Sequence, residues 1–198
     1  MYSAQDILRV VTAPALGCTE PAAIALSAAA AASLVDGERI ERIEVELDAN
    51  LYKNALGVLI PGSGGRSGIE LAAAMGATGG EPSRGLQALT AVGSEELEQA
   101  DALLSAGRVT AHLDRERDGL YIRAHVETAN SSGEATISEL HDRIVELRRN
   151  GEALESHELL PSQSGGGDEF AELEEWLRGQ KVPDLIELAT DLDEEAEQ

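Results

Sequence analysis

The run Ala22–Leu34 is nearly all alanine, interrupted only by Ile24, Leu26, Ser27, Ser33 and Leu34. Alanine gives up no side-chain freedom in a helix and brings no polar group with it, so the run is strongly helical. Its start is marked as well. Thr19 or Glu20 serves as N-cap, and Pro21 suits the first turn, where its missing N–H would be unpaired anyway. Asp36-Gly37 ends the helix with a residue suited to the left-handed conformation. The rest of the chain has to be arranged around this helix and the irregular loop, Ala15–Pro21, that leads into it.

That loop holds Cys18, the one cysteine in 198 residues. Just ahead of a helix, a cysteine meets free N–H groups and the positive end of the helix dipole. Both favour the thiolate, the form that attacks or binds metal. The competing explanation is packing, because free cysteine is among the most often buried residue types. A single cysteine excludes an internal disulfide and, with it, a bridge-rich secreted scaffold. No basic leader opens the chain, and Ala22–Val35 is too short to span a bilayer, so the chain reads as soluble and cytoplasmic.

Charge narrows the partners. The formal net charge is −22, from 37 acidic and 15 basic residues, which argues against nucleic acid. Lys53 and Lys181 are the only lysines; the other basic residues are arginines. This balance suits a salt-rich cytoplasm, where counterions screen self-repulsion, and equally an acidic protein of a GC-rich genome. Aromatic residues make up 3%, so the core relies on Leu, Ile, Val and Ala. The length fits one domain, or one with an appendage.

Along the chain, Ser3 caps a first helix, with Asp6 three residues on, Ile7, Leu8, Val10 and Val11 behind it and Pro14 as its stop. In Ile40–Leu47, the apolar Ile43, Val45 and Leu47 alternate with Arg42, Glu44 and Glu46, the pattern of a half-buried strand. Asn50–Asn54 reads as a polar break and Leu56–Ile60 as a short buried strand stopped by Pro61. The glycine-rich Pro61–Gly68 opens a helix from about Gly68 to Met75. Such a loop either presents N–H groups to an anion or is a tight connection, and it lacks the ending of a nucleotide P-loop.

Ser83–Val92 and Glu95–Ser105 read as helices, the second capped by Ser94 and stopped by Gly107. Val109–Leu113 and Leu120–Glu127 alternate as the two arms of a hairpin across Asp118-Gly119, and Ala135–Ser138 is a further strand. Leu140–Arg149 fits either a helix face or one arm of a hairpin about Asn150-Gly151. Ser162–Gly167 is a Ser/Gly-rich linker. Asp168 then caps a helix with Phe170, Leu173, Trp176 and Leu177 on one face, a second short helix starts at Pro183, and an acidic tail runs from Asp191.

The expected organisation is a domain over 1–160 and an acidic helical appendage with its tail over 161–198. The fold class is α/β or α+β. A mixed sheet carries helices packed on it, and the Cys18 and glycine loops lie at helix N-termini around one pocket.

Three blocks carry more. Gly17-Cys18-Thr19-Glu20-Pro21-Ala22, then Asn50-Leu51-Tyr52-Lys53-Asn54-Ala55-Leu56-Gly57-Val58, then Ile60-Pro61-Gly62-Ser63-Gly64-Gly65 resemble, in order and spacing, the first half of the L-cysteine desulfidase family. That family is related to the alpha part of iron–sulfur L-serine dehydratases, and Gly79-Gly80 and His141 fall where it has similar features. The resemblance implies a carbon–sulfur lyase that turns L-cysteine and water into pyruvate, ammonia and sulfide without pyridoxal phosphate. It implies a [4Fe–4S] cluster, one iron of which is open to the substrate.

It also implies Cys18 as a cluster ligand, with His141 and Lys53 as catalytic residues. Asn50 and Asn54 beside Lys53 would hold the substrate carboxylate, while Thr19, Glu20, Gly62, Ser63, Gly64 and Gly65 would form the loops that bind the substrate. For Leu140–Arg149 the family pattern favours a strand, with His141 in the turn before it. His112, His125 and His157 receive no role.

One cysteine does not grip a four-iron cluster, and the family's C-terminal half, which brings the others, is absent from this chain. The implied partners are therefore the amino-acid substrate and a C-terminal-half subunit, a homo-oligomer, or both. Some of Phe170, Leu173 and Trp176 would lie under such a subunit. Nucleic acid and membrane are not expected. Two alternatives stand beside this reading: L-serine dehydration by the same chemistry, and a truncated, non-catalytic binding or regulatory module.

Overall fold

The computed structural model describes residues 2–35, 37–160 and 169–190. In chain order they form α1 (Ala4–Val11), α2 (Thr19–Ser33), β1 (Ile40–Asp48), α3 (Ala49–Ala55) and α4 (Ile69–Gly79). A 3₁₀ segment, Pro82–Ala91, and α5 (Ser94–Ser105) follow. Then come β2 (Val109–Asp114), β3 (Tyr121–Thr128), β4 (Ser132–Ser138), β5 (Ile144–Arg149) and β6 (Glu152–Ala153), and finally α6 (Glu169–Arg178) and α7 (Val182–Thr190). Two compact units result, Pro14–Pro161 and a second made of Met1–Ala13 and Ser162–Gln198.

The larger unit is a mixed six-stranded sheet in the order β2-β1-β3-β4-β5-β6 with helices packed against it. β1 and β2 run parallel and every other neighbouring pair is antiparallel. The alternation expected for β1 is real: Ile43, Val45 and Leu47 are buried, and Ile122, Ala124, Val126, Ala135, Ile137 and Leu147 join them from the next strands. Glu44, Glu46, His112, Arg123, His125 and Glu134 line a shallow cleft on the polar side.

α2 lies on the apolar side and is buried on all its faces from Pro21 to Ala31, which is where a helix without a polar stripe belongs. Its alanines are a steric requirement. A Cβ built on Gly76 of α4 would come within 2.2 Å of the Ala25 carbonyl oxygen, and one on Gly133 of β4 within 2.0 Å of that of Ala31. Backbone thus meets backbone on two sides of α2, as only glycine allows. Beneath it Ala124 pairs with Ala135 in the sheet register, and the buried Ser27 hydroxyl donates to the Ala135 carbonyl at 3.0 Å.

Several local expectations give way to the structure. Asn50–Asn54 is no break; it lies within α3, because Asp48, only 3% exposed, caps that helix. The Asp48 carboxylate accepts the N–H groups of Asn50 at 2.8 Å and Leu51 at 3.2 Å, and such a cap outweighs the weak helix propensity of asparagine. Leu56–Ile60 makes only a single bridge, Leu59 to Ser67, with Leu56 and Leu59 exposed. α4 continues past Met75 to Gly79. The helix expected over Ser83–Val92 is 3₁₀ and is interrupted at Gly85 (φ 55°, ψ −131°). Gly93, not Ser94, is the N-cap of α5, and its N–H is accepted by Glu96 at 2.9 Å.

The largest correction concerns β2 and β3, which are not a hairpin: β1 lies between them. Asp48 holds this arrangement too, since its second carboxylate oxygen accepts the Tyr121 N–H at 3.0 Å and pins the start of β3 beside the end of β1. A two-strand hairpin would leave β1 short of a neighbour, whereas insertion covers its backbone on both edges. The ambiguous Leu140–Arg149 resolves as β5. It turns into β6 through Asn150-Gly151, both at positive φ (53° and 80°), as a tight two-residue turn requires.

In the second unit Ser3 and Asp6 form the expected reciprocal cap of α1, with Asp6 N–H on the Ser3 hydroxyl at 3.1 Å and Ser3 N–H on the Asp6 carboxylate at 3.0 Å. The Tyr2 and Trp176 rings lie 5.3 Å apart, and Leu173 is buried. Asp36, the linker Ser162–Gly167, the cap Asp168, the Phe170 side chain and the tail from Asp191 fall outside the described residues. Among the described residues no helix is long and apolar enough to cross a membrane.

Candidate functional site

Gly17 stands at φ 80°, and a Cβ there would meet the Pro61 ring at 2.7 Å. That close approach seats the cysteine loop on the start of the glycine loop, as a shared pocket requires. On its other side the Leu16 N–H donates to the Leu86 carbonyl at 3.2 Å. Cys18 itself, rather than Thr19 or Glu20, is the N-cap of α2, and its side chain makes no capping bond. The thiol is turned to Glu20, donating to Oε2 at 2.7 Å, and the Thr19 hydroxyl reaches the same oxygen at 3.4 Å.

Glu20 is the hub. Its other oxygen accepts the Asn54 amide from α3 at 3.3 Å, and His141, in the turn before β5, lies close enough for its charge to act on the carboxylate. The cysteine loop and α3 therefore meet at one side chain, with His141 within electrostatic reach of it. This corrects the expectation drawn from the helix end. The Thr19 and Glu20 N–H groups do favour the thiolate, but the bond to Glu20, and burial after it, outweigh them and hold the thiol pKa above its ordinary 9.0. The same bond, before any other cause, holds the Glu20 carboxyl below its ordinary 4.5. Both shifts place the proton on sulfur.

The remaining candidates divide by availability. Ser63 is buried and its hydroxyl is fully used, donating to the Arg66 carbonyl at 3.0 Å and accepting the Arg66 N–H at 2.9 Å. It braces the glycine loop. Gly62, Gly64 and Gly65 are exposed, all at positive φ, a conformation that side-chain-bearing residues resist. Lys53 and Asn50 are exposed on α3, and neither side chain makes a hydrogen bond or ion pair with a described residue. The sequence offered Glu20 as an alternative N-cap and as a substrate-binding loop residue. The signal for its larger role was a carboxylate two residues after the lone cysteine, at the start of a helix.

Among the described residues no three His, Cys, Asp or Glu side chains gather into a metal site. A four-iron cluster is held by several thiolates, and here there is one sulfur, protonated and committed to a carboxylate. This chain by itself does not fit that group.

Comparison with known proteins gives relatives on one side only. The chain is 43% identical to a UPF0597 protein of Desulfatibacillum aliphaticivorans over 196 residues, which is 98% of this chain and 45% of the relative. It is 46% identical over 195 residues to a UPF0597 protein of Desulforapulum autotrophicum, covering 97% of this chain and 44% of the relative. A UPF0597 protein of Desulfotalea psychrophila is 41% identical over 194 residues, again 44% of its length. The chain thus spans less than half the length of these curated relatives. No protein-family model and no solved structure matches it.

Proposed function

The chain is a homologue of the UPF0597 proteins along nearly its whole length and less than half of theirs, and we propose that it is the N-terminal-like half of an L-cysteine desulfidase-type lyase. The reaction is L-cysteine and water to pyruvate, ammonia and hydrogen sulfide. The observation that supports this reading most is the convergence of Cys18, Glu20, Asn54 and His141 at the start of α2, on a loop seated against the glycine loop.

β-Elimination needs a base for the α-proton, a proton for the departing sulfur and an anchor for the carboxylate. His141 is the base in this reading, as the residue type whose ordinary pKa lies nearest neutrality. The Cys18–Glu20 pair holds a proton ready beside it. Lys53 and Asn50, unengaged on α3, and the exposed Gly62, Gly64 and Gly65 backbone are free to hold the carboxylate, a task that suits a point charge with neutral donors. The [4Fe–4S] cluster of such lyases would need thiolates this chain does not carry. We place them in a partner covering the remainder of the relatives' length, and no step is assigned to a cluster here.

The test is co-expression, under anaerobic conditions, with the remaining portion of a UPF0597 relative. The 198-residue chain alone should release no sulfide from L-cysteine, while the complex should, and Cys18→Ser should lower its sulfide release. Sulfide release by the isolated chain, or wild-type sulfide release by the Cys18→Ser complex, overturns the reading. Running L-serine beside L-cysteine decides whether sulfide or water is the better leaving group.

A further inference from the structure

A cleft of about 570 Å³ lies at the opposite end of α2 from Cys18, about 20 Å away at 1.5 Å per helical residue. Ala32, Val35, Ile40, Ala77 and Leu103 give it an apolar side, and Arg39, Arg108 and Gln99 are among the polar residues that make up about half of its surface. Its volume falls in the range of small-ligand sites, which pair apolar surface with a few convergent polar groups.

The two arginines stand out against the rest of the chain. In a protein of net charge −22, most other arginines are taken by carboxylates, among them Arg66 by Asp101 at 2.6 Å, Arg123 by Glu46 at 3.0 Å and Arg148 by Glu146 at 2.7 Å. Arg39 and Arg108 make no ion pair or side-chain hydrogen bond with any described residue. Glu38, the one carboxylate among the described lining residues, is engaged away from them. It accepts the Thr128 hydroxyl at 2.8 Å and the Asn130 amide at 3.2 Å, which hold its pKa below the ordinary value. The Thr78 hydroxyl is likewise spent on the Ala74 and Glu96 carbonyls. What remains free to meet a ligand is two guanidinium groups and the Gln99 amide.

The fold brings both arginines to the same end of the sheet, with Arg39 four positions before Ile43 and Arg108 one position before Val109, the register partner of Ile43. Arg39 immediately precedes β1 and Arg108 immediately precedes β2, and these strands are parallel neighbours joined where the Ile43 N–H meets the Arg108 carbonyl at 2.8 Å. We infer that this cleft binds a small organic carboxylate with an apolar body. The guanidinium forks match the two carboxylate oxygens, and the alanine and leucine surface receives the hydrocarbon. Inorganic phosphate satisfies the forks and leaves that surface wet, so the lining favours the organic acid.

The inference can be tested on the full 198-residue chain, labelled for NMR, by titration at constant ionic strength with 4-methylpentanoate, its uncharged amide and inorganic phosphate. The carboxylate should shift amides around Ala32, Ala77 and Leu103 and bind about tenfold or more tightly than either competitor. Arg39→Gln and Arg108→Gln should each weaken it about tenfold, the loss of one charge-assisted contact. These variants should retain the wild-type melting point because neither side chain has a partner among the described residues to lose. Equal binding of acid and amide, binding of phosphate as tight as that of the acid, wild-type affinity in the double variant, or no saturation by about 10 mM acid each overturns the inference.

Discussion

The two ends of α2 differ in kind. At the N-terminal end the thiol, the Glu20 carboxylate and the Asn54 amide partner one another: thiol on carboxylate, carboxylate on amide. At the C-terminal end two guanidinium groups border a cleft with no partner among the described residues. Beyond its first turn, which holds Thr19 and Glu20, the helix between them contributes no functional side chain of its own. Its alanines allow backbone-to-backbone contact with α4 and β4, and that contact makes it a ruler on which the flanking loops are set. One end stores a proton in a closed network. The other is electrostatically incomplete without a ligand.

The comparison breaks first if the ruler bends. Gly133→Ala would drive a methyl to 2.0 Å from the Ala31 carbonyl oxygen, and Gly76→Ala another to 2.2 Å from that of Ala25. Each should cost on the order of 3 kcal/mol or more, the upper range for overpacking against groups that cannot yield. Gly57→Ala, with nothing within 4 Å of the new carbon, should stay within about 0.5 kcal/mol. Urea midpoints of the three variants decide this. A Gly133→Ala protein as stable as Gly57→Ala would mean that α2 is not clamped.

A second, smaller effect is confined to one end. Asp48→Ala removes the acceptor of the Asn50, Leu51 and Tyr121 N–H groups and should cost about 2 kcal/mol. It should also loosen α3 and with it the Asn54 hold on Glu20, leaving the carboxylate titration of the arginine cleft unchanged. Loss at both ends would show that Asp48 supports the whole sheet rather than one site.

What could be read from the sequence follows the range of the forces involved. α2, the alternation of β1 and the Asn150-Gly151 turn are local matters of propensity and period, and they are present in the fold. The nearness of the cysteine and glycine loops was expected because each leads into a helix N-terminus, and Gly17 lies against Pro61. The insertion of β1 between β2 and β3 was not legible. It rests on Asp48 meeting Tyr121 across 73 positions, while Asp118-Gly119 locally favours a hairpin. The thiol was misread for a related reason. A helix dipole can be inferred from one-dimensional order, but a carboxylate two residues on is decided by rotamer, and at 2.7 Å it prevails.

Salt acts on both ends alike. At −22 the exposed carboxylates repel one another when screening is weak. Molar salt should therefore raise the melting point, and a gain of about 1 kcal/mol would appear as roughly 2–4 °C for a chain of this size. Equal melting points in low and molar salt would remove the case for a salt-rich setting.

The smallest effect on stability is the most informative about the closed end. The folded pKa of Cys18 lies above its ordinary 9.0, so the folded chain holds that proton more tightly. The associated stability is complete below 9.0 and is lost as pH rises through the folded value. Glu20 has the opposite sign: its folded pKa lies below 4.5, so its share is complete above 4.5 and is lost as pH falls through the folded value. The bond is therefore whole between about 4.5 and 9.0. Glu20→Gln should differ most from wild type in that window. In acid the two should converge, because the wild-type carboxyl is then neutral as well. In alkali the variant should become the more stable, because the wild type then sets a thiolate against a carboxylate. Kinetics give the sharper readout. With the acceptor charge gone, the helix N–H groups act on the sulfur unopposed, so iodoacetamide should alkylate Cys18 several-fold faster in Glu20→Gln at neutral pH, with thiolate absorbance emerging at lower pH. Alkylation at the wild-type rate would show that Glu20 does not hold the thiol proton, and the contrast between a closed end and an open one would be lost.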